Sequence, residues 1–265
     1  MTLTKTNSLP ERFRPVFSPE HGVYVMLFVS LLTGAAAARD WTLPTTLASI
    51  ATFFAFQAEH PLSLQIKQRK SWKPRFLVWF GIYGSIAAII GGYLALQTPS
   101  LLWLYGGALG ALGIDALAVF YRRQKSIANE FLTFAAVCLA VPFVYVATTG
   151  TWTLSLLGLW GLNTLFFAST IFTVKLRKPK TASIGPALLY HALATGAIAL
   201  LWYAGLLGFI TALAFGVAIV KFGAILLFQG WYRSTRIQNI AVLETVSALV
   251  FLAIVALSLL PARLG

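Results

Sequence analysis

The chain has 265 residues, of which 58% are hydrophobic and 10% charged, with a mean hydropathy of +0.81. A soluble domain carries roughly 25% charged residues, so a soluble globular protein is excluded. The formal net charge of +13 does not point to nucleic acid: the Lys and Arg residues fall in short clusters between apolar runs, as in membrane proteins.

Residues 1–17 are polar, basic and contain proline, and are expected to be poorly ordered. With the three residues that follow they form a basic tail, 1–20. The tail meets the first apolar run at Pro19-Glu20-His21-Gly22. Lys5, Arg12 and Arg14 ahead of an Ala-rich run ending at Ala38 have the look of a signal peptide. The long leader and the many later spans argue against cleavage. A span needs about 20 apolar residues, and nine helices are predicted on that rule, at 21–38, 43–62, 76–97, 100–121, 128–148, 152–174, 183–203, 206–228 and 239–260. Pro99, Gly150 and Gly205 mark turns between them. The expected fold is an all-α polytopic transmembrane bundle, with residues 21–265 as one domain. The runs are continuous rather than alternating, which disfavours a transmembrane barrel. Cys138, the single cysteine, lies in an apolar segment and reads as a buried, inert small hydrophobe.

Charge then orients the bundle. Alternate loops carry Lys67-Arg69-Lys70-Lys73-Arg75, Arg122-Arg123-Lys125, Lys175-Arg177-Lys178-Lys180 and Arg233-Arg236, and the N-terminal tail belongs with them. The opposite loops hold only Arg39 and Asp40. The positive-inside rule places the N-terminus in the cytoplasm and the C-terminus outside. Gly106 and Gly110, with Gly113 nearby, and Gly81, Gly84, Gly91 and Gly92 offer close-packing faces. Pro142 is expected to kink the fifth helix. Trp72, Trp79, Trp103, Trp152, Trp202 and Trp231 lie near predicted interfaces and read as belt residues.

Ionisable groups in a bilayer are costly and are candidate functional residues. Glu20, Glu59, Asp115, Glu130 and Glu244 all fall in the cytoplasmic third of their helices, and His21 and His60 sit at the same level. Together they describe a polar pocket open to the cytoplasm, with Glu20, His21, Glu59, His60 and Asp115 as the candidate catalytic set. Arg122, Arg123, Lys125, Asn129, Glu130, Asn163 and His191 are the candidate substrate contacts. The plain alternative is that the acids pair with neighbouring basic residues, Asp115 with Arg122 at i, i+7 among them, and anchor helix ends. A carboxylate beside an imidazole suits a divalent metal or a proton relay, but no metal site is assigned. Asn163 reads as an interhelical hydrogen-bond partner, His191 as a core histidine on the plain view, and Lys221 as a side chain that snorkels to the cytoplasmic face. Walker, nucleophile-elbow, HExxH, CxxC and dinucleotide patterns are missing, so soluble-enzyme chemistry is unsupported.

Pro19-Glu20-His21-Gly22-Val23-Tyr24-Val25-Met26-Leu27 resembles the opening of the YwiC-like family of bacterial membrane proteins. His60-Pro61-Leu62 followed by basic residues resembles that family's second motif. Tyr121-Arg122-Arg123-Gln124-Lys125-Ser126 with Asn129-Glu130 resembles its third. The resemblance implies a bacterial inner-membrane protein and no particular activity. Nine helices with a cytoplasmic polar pocket are also similar in outline to UbiA-type intramembrane prenyltransferases, which hold a prenyl diphosphate through magnesium on two Asp-rich motifs. This chain departs at both places, with Gln57-Ala58-Glu59-His60-Pro61 after the second helix and Lys175-Leu176-Arg177-Lys178-Pro179-Lys180 after the sixth. The expected partners are the bilayer and an isoprenoid or quinone-like lipid. A proton-coupled transporter or a structural subunit are the competing classes, and no cofactor is assigned.

Overall fold

A long apolar run in a bilayer must satisfy its backbone polar groups internally, and the helix is how each run does so. The computed structural model of the protein describes residues 14–69, 71–177 and 183–260. Among them twelve helices follow one another, with no strand: α1 His21–Ala38, α2 Leu43–Gln68, α3 Pro74–Gln97, α4 Leu101–Phe120, α5 Ile127–Cys138, α6 Ala140–Thr149, α7 Ser155–Lys175, α8 Ile184–Tyr203, α9 Phe209–Leu213, α10 Gly216–Leu227, α11 Gln229–Ser234 and α12 Ile237–Leu259. All nine expected helices are present. The fifth is broken at Leu139 into α5 and α6, and Pro142 accounts for the break, since it has no N–H to offer the Cys138 carbonyl. The eighth is broken after Leu213 into α9 and α10.

Eight of the resulting rods are long and apolar enough to cross a membrane, counting α5–α6 and α9–α10 as one each. The remaining long helix is α2, which carries Gln57, Glu59, His60 and Lys67 along its second half. It passes through Pro61 and ends at Gln68, not at residue 62. Glu59-His60 therefore lies inside the helix rather than at its end. Thr42 and Thr45 cap its start reciprocally, side chain to backbone, and Pro44 suits its first turn.

Contacts between helix ends show two opposite faces. On one, Arg75 donates to the carbonyls of Arg14 and Pro15 at 2.9 Å each, Arg69 donates to the Phe120 carbonyl, and Arg177 donates to the Thr235 carbonyl. On the other, Arg39 Nε donates to the Leu259 carbonyl at 2.8 Å, and Thr45 meets Thr148 at 2.7 Å. The described basic residues other than Arg39 and the buried Lys221 thus gather at one end of the bundle, as the alternation of loop charge predicts. Arg14 and Leu259 lie at opposite ends.

The interior is built around α7, whose Phe166 stacks on Phe251 of α12 with centroids 4.0 Å apart. Two glycines allow the closest approaches. A Cβ at Gly34 of α1 would sit 2.5 Å from the Val141 carbonyl oxygen of α6, and one at Gly158 of α7 would sit 2.3 Å from the Leu206 carbonyl oxygen. The glycines picked out by sequence spacing behave differently. Gly81, Gly84, Gly92, Gly106, Gly110 and Gly113 have nothing within 4 Å of an added Cβ, and only Gly91 packs, against Tyr105. Leu96 of α3 and Trp103 and Leu109 of α4 are exposed, a surface suited to lipid. Trp72, Trp152, Trp202 and Trp231 are likewise exposed close to helix ends.

Candidate functional site

The N-terminal approach to α1 is held by one buried side chain. Gln57 of α2 accepts from the Ser18 backbone N–H at 3.3 Å and donates to the Tyr24 hydroxyl at 2.7 Å. That hydroxyl donates in turn to the Ser18 carbonyl at 3.1 Å. With Val16 and Ser18 buried and Arg75 holding the Arg14 and Pro15 carbonyls, residues 14–20 form a strap laid across α2 and α3. The expectation of poor order up to Phe17 is corrected for residues 14–17, while residues 1–13 lie outside the described part. A buried amide with both ends paired is stabilising, whereas an unpaired one would cost.

The strap ends at Glu20 and His21, both exposed. Glu59, two residues beyond Gln57, is half-buried, accepts from the Ser63 hydroxyl, and lies within electrostatic reach of Glu20, Asp115 and Lys67. Asp115 of α4 accepts from Asn129 Nδ2 at 2.6 Å, and the same amide donates to the Gln124 carbonyl at 3.3 Å. Ser126 caps α5, accepting from the Asn129 N–H at 3.3 Å, and so sets the orientation of that amide. α1, α2, α4 and α5 thereby bring Glu20, Glu59, Asp115 and Asn129 into one region toward the basic face. Asp115 pairs with Asn129 and not with Arg122, so it is not an arginine-held anchor.

Beside this group lies a cleft of about 290 Å³ lined by Lys67, Arg69, Val119, Arg122 and Gln124. Lys67 belongs to both, since it faces the cleft and acts on Glu59. Arg69 and Arg122 have φ of 49° and 59°, a left-handed backbone that non-glycine residues adopt at some cost. Arg69 also lies over the Phe120 ring, 4.9 Å from its centroid. Sequence reading named Arg122 but missed Lys67, Arg69 and Gln57. The signal for the first two was their place in a basic loop, which marks a face but not a cleft.

The other expected residues stand apart. Glu130 pairs with Lys175 at 3.1 Å, the anchoring alternative. Arg123 and Lys125 are exposed. His60 is half-buried near Lys67, and among the described residues neither its ring nor that of His21 has a hydrogen-bond partner. Asn163 is fully buried and donates back to Leu159 of its own helix at 2.9 Å, so the expected interhelical bond is not made. His191 also bonds within its helix, to the Ala187 carbonyl at 2.7 Å. Lys221 does not snorkel. It pairs with Glu244 at 2.7 Å inside the bundle. Among the described residues no three His, Cys, Asp or Glu side chains converge as a metal site.

No curated protein and no solved structure matches the chain, so the likeness to UbiA-type prenyltransferases rests on helix number alone. The family model described as YwiC-like protein matches residues 17–145. That stretch holds residues 17–20 of the strap, α1 to α5, most of α6, and the whole group of Glu20, Glu59, Asp115 and Asn129 with its cleft. His191, Lys221 and Glu244 lie beyond it. Over residues 17–145, the segment that carries the polar group and its cleft, the chain is similar to the YwiC-like family.

Proposed function

We propose that the protein sits in the bacterial inner membrane with its basic face in the cytoplasm and binds an isoprenoid or quinone-like lipid at that face. The observation that carries this reading is the juxtaposition of the cationic cleft with the Glu20–Glu59–Asp115–Asn129 group, joined through Lys67. Lys67, Arg69 and Arg122 suit an anionic, phosphate-class head, for which guanidinium groups supply paired donors. The acids beside them would accept or return a proton at that head. Ile114, Leu117 and Phe120, exposed along α4, continue from the cleft into a lipid-facing surface that suits an apolar tail. Protein purified in mild detergent should retain this lipid, as read by mass spectrometry. The double variant Lys67→Gln, Arg122→Gln should lose at least about tenfold of it, the scale of one 1.4 kcal/mol contact. Equal lipid profiles would end the reading. A proton-coupled transporter is the competing function, and the buried Lys221–Glu244 pair is the observation that favours it.

A further inference from the structure

The C-terminal half holds a second set of ionisable groups that the lipid reading does not use. His191 of α8, Lys221 of α10 and Glu244 of α12 each lie about 10 Å along their helices from the basic end, at 1.5 Å per residue. Lys221 is 4% exposed and its ammonium meets Glu244 Oε2 at 2.7 Å. The ammonium also lies 5.6 Å from the Phe166 ring centroid. His191 is 3% exposed, stacks on Phe222 at 4.0 Å and is within electrostatic reach of Lys221. Its Nδ1 meets the Ala187 carbonyl, which requires the proton there and leaves Nε2 a bare acceptor. His191 Nε2 and Glu244 Oε1 are both buried without a partner among the described residues. One open acceptor is thus on the carboxylate that pairs with the buried ammonium, and a second is on an imidazole within electrostatic reach of it.

We propose that His191, Lys221 and Glu244 form a buried proton-binding site, which takes one proton beyond the ion pair at Glu244 Oε1 or His191 Nε2. Glu244, whose side chain is 20% exposed, is the entry: a proton from water on the basic face lands on its carboxylate and leaves by the same route. Protonation removes the counter-charge of Lys221 and weakens the tie between α10 and α12. The other groups facing the site do not compete for that proton. From α11, Tyr232 is fully buried, and burial with Glu244 nearby pushes its phenol up to about 12. Arg177, after α7, faces Tyr232 and donates to the Thr235 carbonyl. Arg233 of α11 donates to the Leu176 carbonyl, and Lys175 of α7 is paired with Glu130. α1, on another face of α12, has His21 and Tyr24 as its ionisable residues, and Tyr24 is held by Gln57. The inference stands whether or not the cleft binds lipid.

The test is infrared difference spectroscopy of the purified full chain, titrated from about pH 9 to about pH 4, a range spanning the ordinary His and Glu values. A protonated-carboxyl band should grow in on acidification and be missing from Glu244→Gln. That variant leaves Lys221 buried without its counter-charge, so the neutral pair Lys221→Met, Glu244→Gln is measured beside it, since removing both charges together preserves a fold better than removing one. Lys221→Met alone should move the midpoint upward by at least about tenfold in proton concentration, because the opposite charge favouring the carboxylate is gone. His191→Phe, which retains the stack on Phe222, should shift the midpoint by about threefold or more, half a pKa unit. An unchanged midpoint there overturns the part given to His191. Spectra of wild type and the neutral pair that superimpose throughout overturn the site.

Discussion

Gly158→Ala tests the packing of α7 most directly. The added methyl would sit 2.3 Å from the Leu206 carbonyl oxygen, 2.9 Å from its carbonyl carbon and 3.1 Å from its Cβ. Carbon contacts are normally near 3.5–4.0 Å, so backbone on one side must move by about 1 Å. Overpacking of this kind costs about 1–3 kcal/mol, and a clash with backbone belongs at the upper end. The helix preference of Ala over Gly returns about 1 kcal/mol, which leaves a net loss of about 2 kcal/mol. Gly106→Ala is the matched control. It has open space around it, keeps the same propensity gain and should stay within about 1 kcal/mol of wild type. Thermal unfolding in detergent, followed by size-exclusion chromatography, should show Gly158→Ala melting roughly 4–8 °C lower, at about 2–4 °C per kcal/mol for a chain of this size class. Gly158→Ala as stable as wild type, or Gly106→Ala equally damaged, would refute the packing argument.

Gln57→Leu should cost about 1–3 kcal/mol by leaving the Ser18 N–H and the Tyr24 hydroxyl short of a partner, and hydrogen exchange should rise at residues 16–18 before it rises elsewhere. Lys221→Met should destabilise by about 3–5 kcal/mol, as loss of one member of a buried pair does. Glu130→Gln, at a pair about a quarter to a third exposed, should cost no more than about 1 kcal/mol, so equal losses in the two variants would contradict the assigned burial. With Cys138 replaced, single cysteines at Lys125 and Thr151 should label from opposite sides of the membrane, Lys125 from the cytoplasm, and labelling from one side would overturn the antiparallel order of α4 to α7.

The sequence by itself determined the helices and their alternation. Twenty apolar residues can satisfy their backbone in lipid only as a helix, and basic loops mark one face however the helices pack. The depths of Glu20 and Asp115 were legible for the same reason, because position along a rod follows from residue number at 1.5 Å each, whereas Glu59 lies deeper than expected because α2 runs on through Pro61 to Gln68. Which side chains meet was not legible. α4, α7 and α12 are apolar nearly all round, so their sequences carry no stripe that says which face turns inward. Only tertiary structure decided that Gly34 and Gly158, rather than the Gly106-x-x-x-Gly110 pair, bring backbones together. Rotation about the helix axes likewise turned Lys221 to Glu244 instead of toward the surface, and closed Asn163 onto its own helix. Gln57 became the anchor of the strap because the chain before α1 folds back onto α2, a contact across 39 residues that no local pattern encodes.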